Sequence, residues 1–343
     1  MKKKKLRVMM LVHTDLVPPD DLIDEDDPRM SKYRTEYDVR KALLELGHEV
    51  RVTAVEDDLA PIRATINEWR PHVAFNLLEA FAGNSALDYY LVSYLDMLKV
   101  PYTGCNPRGL LLARDKALSK KLLSFHRVRV PRFRVFRWGR SIPAKTVRNL
   151  PYPMVVKSLL EQGSVGIAQA SFVNNEDELI QRVIQVQEMT GGDAIAEQYI
   201  DGRELYVTVM GNKRLEVLPI RELIFGGFEE GEPRIATYKV KWDPKYRERH
   251  GIDYQFVRNL PTGLADAIPK LCKRIYRILD LSGYARMDLR LSKDGKLFVL
   301  EANPNAALAD NEDMAFSAEK AGMSYPQFIQ RLLNLGMSAL GNK

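Results

Sequence analysis

The sequence predicts an α/β fold with more than one sheet, and three observations carry that expectation. The first hundred residues alternate short apolar runs with amphipathic stretches. Further on, Tyr284-Ala285-Arg286-Met287-Asp288-Leu289-Arg290-Leu291 and Phe298-Val299-Leu300-Glu301-Ala302-Asn303 alternate apolar and polar residues like half-buried strands. Asp294-Gly295 lies between those two runs and favours a tight hairpin turn.

Taken in order, residues 6–12 read as a strand. Residues 35–46 read as an amphipathic helix, with Val39, Leu43 and Leu46 on one face and Gly47 as its stop. Residues 49–55 read as a strand, 59–69 as a helix, 72–78 as a strand, 86–98 as a helix, and 100–103 as the start of another short strand. Such alternation implies a parallel sheet with helices on both faces, and ligands at the carboxyl ends of its strands. The loops after Val12 and Leu78 are therefore expected near a substrate. A second segment begins near Arg114, with a helix at 116–123 and strands at 131–136, 153–157, 167–173 and 194–199. Within it, Asn174 or Asn175 caps an acidic-started helix at 176–186. A third segment has strands at 204–210 and 214–219, an irregular stretch at 225–260, a helix at 264–279, the hairpin, and a helix at 325–335. The expected domains are 1–113, 114–196 and 197–343.

Composition fits a globular protein: of 343 residues, 45% are hydrophobic and 28% charged. No apolar run approaches a membrane span. Lys2–Lys5 and the short apolar run behind them read as a basic start and a first strand, not a leader peptide. Cys105 and Cys272 imply no disulfide framework, so a reducing cytoplasm is the default expectation. The formal charge of +6 rests largely on the lysine start and on Arg127, Arg129, Arg132, Arg134, Arg137 and Arg140. Those arginines lack the interleaved aromatics of a recognition module, so no nucleic-acid partner is expected. A solvated face, or a field attracting an anionic nucleotide, explains them better.

The hairpin carries the chemistry. Asp288 and Glu301 can face each other across it, with Asn303 two residues on, on the same side. Two carboxylates and an amide oxygen make a hard site, suited to Mg²⁺ that substrate phosphates also hold. Lys157 ends the apolar run Met154-Val155-Val156, and the loop Glu161-Gln162-Gly163-Ser164-Val165-Gly166 follows it. A lysine there can reach phosphate oxygens, and glycines let backbone N–H groups approach them. None of the five histidines has metal-ligand spacing.

The order Arg-x-Asp, short hairpin, Glu-x-Asn resembles the metal-binding hairpin of the ATP-grasp enzymes, most closely the D-alanine–D-alanine ligase branch. The resemblance implies an ATP-grasp fold: an N-terminal parallel-sheet domain and two α+β subdomains enclosing ATP. It implies that Asp288, Glu301 and Asn303 hold Mg²⁺, with Mn²⁺ as a substitute, and that Arg286 faces the charge developed in transfer. Lys157 and the loop with Gly163, Ser164 and Gly166 match the phosphate-binding strand and lid. Glu197-Gln198-Tyr199-Ile200 resembles the adenine hinge, Glu204 the ribose contact, and Lys116 the first nucleotide-binding lysine. Thr237-Tyr238-Lys239-Val240-Lys241-Trp242 resembles the loop that closes over ATP, with Lys241 touching the nucleotide and Lys239 as the alternative. The catalytic set implied is Arg286, Lys241 and Ser164. The activity implied is amide formation from a carboxylate and an amine through an acyl phosphate, by a cytoplasmic homodimer. D-alanine–D-alanine ligation itself and a non-catalytic ATP-binding regulator are the alternatives.

The departures lie in the substrate half. The paired serines of the lid are Gly163-Ser164 here, the tyrosine of the closing loop is Trp242, and the His-Gly after the third strand is Glu79-Ala80. The small-residue loop after the metal-binding asparagine is Pro304-Asn305-Ala306-Ala307. The glycine-rich loop after the first strand is long and acidic, with Asp15, Asp20, Asp21, Asp24, Glu25, Asp26 and Asp27. That loop is either solvated or a binding surface for an amine-bearing substrate.

Overall fold

The computed structural model of the chain describes residues 5–22, 27–161, 163, 167–229 and 231–339. The first unit contains β1 (Arg7–His13), α1 (Met30–Glu45), β2 (Glu49–Val55), α2 (Ala60–Trp69), β3 (Val73–Asn76) and α3 (Asp88–Met97). Its sheet is parallel, in the order β2-β1-β3. Val8 to Val12 are fully buried, as a central parallel strand covered on both faces requires. The run at 100–103 forms no strand of its own. Tyr102 makes one parallel bridge to Ala74, and Pro101 has no amide proton for a ladder.

The chain continues through α4 (Pro107–Arg114), α5 (Lys116–Phe125), β4 (Phe133–Phe136), β5 (Met154–Ser158), β6 (Phe172–Val173), α6 (Glu176–Thr190) and β7 (Ala194–Gln198). The strands form an antiparallel sheet, β4-β7-β5-β6. Its core of Phe136, Met154, Val156, Leu179, Val183 and Val186 packs α6 on one face. Asn175 is the cap of α6, accepting the Glu178 N–H at 3.0 Å, and Gly191 ends it at φ +63. Sequence reading missed α4, although Asn106 caps it at Gly109 N–H and Pro107 opens it. The strand expected over 167–173 is only Phe172–Val173.

The last part holds β8 (Gly202–Met210), β9 (Glu216–Val217), β10 (Arg221–Phe225), α7 (Tyr238–Trp242), α8 (Pro244–Arg249), β11 (Ile252–Phe256), α9 (Leu264–Ile278), β12 (Tyr284–Ser292), β13 (Leu297–Pro304), α10 (Asp313–Lys320) and α11 (Tyr325–Ala339). The antiparallel order is β11-β10-β8-β12-β13, with β9 on β8. The expected irregular stretch therefore contains two helices and a strand. Their signals are caps: Thr237 Oγ1 accepts the Val240 N–H, and Asp243 accepts the Tyr246 N–H just before Pro244. The segment 214–219 keeps only two strand residues, and α10 was not foreseen.

One face of the central pair β8–β12 is apolar. Leu205, Val207, Val209, Ala285, Met287 and Leu289 share a core with Met9, Leu11 and Ala74 of the first sheet and with Ile268 and Ile275 of α9. At about 1.5–3 kcal/mol for each large side chain, this face anchors the strand pair. Its opposite face carries Glu204, Tyr206, Tyr284, Arg286, Asp288 and Arg290. The expected third domain is not closed on itself: Phe328, Ile329, Leu332 and Leu333 of α11 join Val8, Met10 and Phe75 of the first unit.

Candidate active site

The hairpin β12–β13 places Asp288 opposite Glu301 and Arg286 opposite Asn303. The turn closes through the Gly295 N–H to the Ser292 carbonyl at 2.9 Å, with Gly295 at φ +78, where a side chain would be strained. A bulge interrupts the ladder just after Asp288, where the pairing moves on to Leu289 and Val299. Leu300 falls at that bulge, and its carbonyl accepts the Lys120 ammonium.

Around Asp288 the bonds are dense. The Arg286 guanidinium grips both its oxygens, at 2.8 and 3.0 Å, and stacks on the Tyr206 ring, 4.7 Å from its centroid. The Asn303 amide donates to Asp288 Oδ2 at 3.0 Å and to Glu301 Oε1 at 3.4 Å. Asp313 of α10 holds Arg221 at 2.8 Å and lies 3.7 Å from Arg286. Burial and the facing Glu301 push Asp288 up, against the pull of Arg286.

Four lysines crowd the neighbouring space. Lys157 lies 3.2 Å from Glu197 and 3.8 Å from Glu301. Lys120 lies 3.2 Å from the same Glu197 oxygen. Lys116 donates to the Glu161 carbonyl at 2.5 Å. Burial lowers Lys116 to about 8 and lowers Lys120 as well. Burial also works against charge on Lys157, but Glu197 and Glu301 outweigh it and hold that ammonium above its ordinary value. Although burial would raise Glu301, Lys157, Lys116, Lys241 and Lys120 together drive it well below the usual carboxylate range. Such a concentration of buried cations is costly without anions to share them.

A cleft opens between the two antiparallel sheets beside these groups. Lys157, Glu197, Gln198, Ile200, Glu204 and Lys241 line it, and Asp288 and Glu301 lie at its end. Residues 199–201 link β7 of one sheet to β8 of the other, so the expected hinge crosses its back. Lys241 faces the cleft, whereas Lys239 lies over the Tyr246 ring at 5.9 Å. Gly163 stands at the rim, where its carbonyl accepts the Trp242 Nε1–H at 3.0 Å. The Tyr238 N–H reaches the Ile167 carbonyl at 3.0 Å, so the two loops touch. Ser164 and Gly166 lie outside the described residues.

Two of the expected nucleotide contacts are engaged with neighbouring side chains. The Glu197 side chain, which lines the cleft, is held by Lys120 and Lys157. Glu204 accepts the Tyr206 hydroxyl at 2.9 Å and pairs with Arg290 at 2.9 Å. Sequence reading missed Lys120, Arg290 and Asp313. Lys120 stands four residues after Lys116, on the same helical face, a signal that could have found it. Among the described residues of the acidic loop after β1, Asp21 and Asp27 pair with Arg29 at 3.1 and 2.8 Å, and Asp20 with Arg40 at 3.6 Å. Asp24, Glu25 and Asp26 lie outside the described residues.

Comparison with known proteins shows the family. The family model for the D-ala D-ala ligase C-terminus matches residues 127–334. The chain belongs to the D-alanine–D-alanine ligase family of the ATP-grasp superfamily. A D-alanine–D-alanine ligase of Desulforudis audaxviator is 30% identical over 295 residues, 86% of this chain and 90% of that protein. An uncharacterized protein of Sinorhizobium fredii, y4sG, is 31% identical over 302 residues, 86% of this chain and 84% of that one. The crystal structure of the Bacillus anthracis D-alanine–D-alanine ligase complexed with ATP shares the fold at TM-score 0.75 and 20% identity, covering 98% of this chain and 99% of that chain. The chain is thus an ATP-grasp enzyme of the carbon–nitrogen ligase class. Among the described residues, no helix is long and apolar enough to cross a membrane.

Proposed function

We propose that the chain joins a carboxylate to an amine at the expense of ATP, through an acyl phosphate, and that at least one substrate is an amino acid or a peptide. The observation that carries this reading is the in-register pair Asp288 and Glu301 facing four lysines at the end of one cleft. On this reading ATP lies along the cleft, with its base at residues 198–200 and its phosphates among Lys116, Lys157 and Lys241. The substrate carboxylate oxygen attacks the γ-phosphorus, and ADP leaves. The amine nitrogen then attacks the acyl carbon, phosphate leaves, and the amine loses a proton. Arg286 has the rigid fork and permanent charge suited to the oxyanions of both steps. The loops joined by Trp242 and Gly163 keep water from the acyl phosphate.

The donors present suit Mg²⁺. The donors this reading assigns are two carboxylates and an amide; among the described residues no three acidic, histidine or cysteine side chains gather as a metal site. Asp288 and Glu301 repel each other, which a shared cation would relieve, and a turn of the Asn303 amide would offer its oxygen to the same ion. Bound there, Mg²⁺ would neutralise phosphate charge. A cytoplasmic homodimer completes this reading. A second reading, D-alanine–D-alanine ligation itself, draws on the names of the relatives.

The test is phosphate release from ATP across pairs of D- and L-amino acids and dipeptides. Asp288→Asn with Glu301→Gln should abolish release while circular dichroism keeps the native signature. Wild-type turnover in that double variant would refute the assignment.

A further inference from the structure

Arg286 is placed by more than its own strand. One row of facing residues crosses the antiparallel sheet: Phe256 on β11, Arg221 on β10, Tyr206 on β8, Asp288 on β12 and Glu301 on β13, each directly opposite the next. Residues opposite one another in paired strands share a face. In this row an arginine stands between two aromatic rings, and the two carboxylates assigned to Mg²⁺ close it.

The helix α10 packs on β8 over this row, and its first residue is Asp313. The Asp313 side chain is buried and reaches two guanidinium groups. One oxygen lies 2.8 Å from Arg221 and the other 3.7 Å from Arg286. Arg221 is itself buried and boxed by three rings, with centroids 4.7 Å away at Phe316, 5.3 Å at Phe256 and 6.0 Å at Tyr254. It also donates to the Tyr254 carbonyl at 3.1 Å. Phe316 belongs to α10, so one helix brings both a ring and a carboxylate to Arg221.

Arg286 thus meets one ring, Tyr206, and two carboxylates, Asp288 and Asp313. The two carboxylates differ in their duties. Asp288 grips Arg286 through both oxygens, but it also takes the Asn303 amide, and on the ligase reading it is a ligand of Mg²⁺. Asp313 is committed to the two arginines. Burial opposes charge on Arg286, and Asp288 and then Asp313 outweigh it.

Resting on the ligase reading above, we propose that Asp313 is a positioning residue for the reaction: braced by Arg221, it holds the Arg286 guanidinium on its oxyanions while Asp288 is shared with the metal. At 3.7 Å the carboxylate is too far for a hydrogen bond and acts through charge. It therefore restrains the guanidinium without consuming one of its donors. Misplacing a catalytic group by about 1 Å can cost roughly 100-fold in rate.

Asp313→Asn keeps the shape and removes the charge, but it also leaves Arg221 buried without a counter-ion. The deciding variant is therefore Asp313→Asn with Arg221→Met, which removes both partners of that pair. Phosphate release is measured on the full chain with Mg²⁺ and ATP across pairs of D- and L-amino acids and dipeptides. The double variant should keep the native circular dichroism signature and lose about 10- to 100-fold in kcat, with the KM for ATP within about twofold of wild type. In an Arg286→Lys background the same two changes should lower kcat by less than about threefold more. A wild-type kcat in the folded double variant overturns the inference and leaves the ligase reading intact, because Asp313 then serves Arg221 alone. So does a full loss repeated in the Arg286→Lys background. NMR of the arginine side chains, with ADP and Mg²⁺ added, reads the restraint without turnover. The Arg286 signal, identified by its loss in Arg286→Lys, should show slow rotation about Nε–Cζ in the wild type and faster rotation in the double variant. That result in a protein that releases no phosphate with any pair supports the restraint and overturns the ligase reading alone. Equal rotation in the two proteins overturns the inference.

Discussion

Replacing Glu36 by glutamine should make the protein more stable, in a pH-dependent way. Glu36 is 5% exposed, and among the described residues no other side chain is hydrogen-bonded or ion-paired to it. Burial raises its carboxyl from 4.5 to about 7. In the unfolded chain it ionises near 4.5, so between 4.5 and 7 the folded protein holds more protons. Stability is then lost as pH rises through that window, and the loss is complete above about 7. At about 1.4 kcal/mol per pKa unit, the full loss is roughly 3 kcal/mol. Glutamine has the same shape and no charge, so it escapes the loss. Denaturant unfolding of both proteins at pH 5 and pH 8 reads the difference. Glu36→Gln should match the wild type within about 1 kcal/mol at pH 5 and exceed it by roughly 2–3 kcal/mol at pH 8. A variant of equal or lower stability at pH 8 would show that Glu36 has a counter-charge in the fold, and the reasoning would fail.

Lys120→Met should cost roughly 3 kcal/mol, because it removes one of the two cations on buried Glu197 and the donor to the Leu300 carbonyl; urea unfolding checks it, and a loss under 1 kcal/mol would contradict the pairing. Gly202→Ala should cost about 2 kcal/mol or more, since Gly202 sits at φ +151 and a Cβ there would stand 2.0 Å from the Leu291 carbonyl oxygen. A thermal midpoint within a degree of wild type would show that the strand start gives way easily.

How far the sequence revealed the site depends on which spacings survive folding. Arg286, Asp288, Glu301 and Asn303 were legible because period two holds between 286 and 288 and between 301 and 303. The bulge falls just beyond Asp288; one residue earlier, it would have turned half of the set to the opposite face. Lys157 was legible as a charge closing a buried strand. Asp313 was not, since only the return of the chain after β13 brings α10 to Arg286. Glu36 carried a signal that went unread: it stands three residues before Val39 and seven before Leu43, on the buried stripe of α1. Glu79 was noted only as a departure from a family pattern, because the groups that feel its charge, Glu36 and Tyr284, lie far away in the chain. The caps of α4, α7 and α8 were present in the sequence, but short helices have too few turns for apolar periodicity to stand out.

The buried charges beside Asp288 explain one another. Lys116, Lys120, Lys157 and Lys241 crowd around Glu301, and Lys120 and Lys157 share Glu197. Arg286 lies on the neighbouring stretch of β12, where Asp288 and Asp313 offset its charge. So many cations in a buried space are costly unless anions share them. On the ligase reading, the nucleotide phosphates are those anions, and the field of the lysines fixes which way round ATP enters.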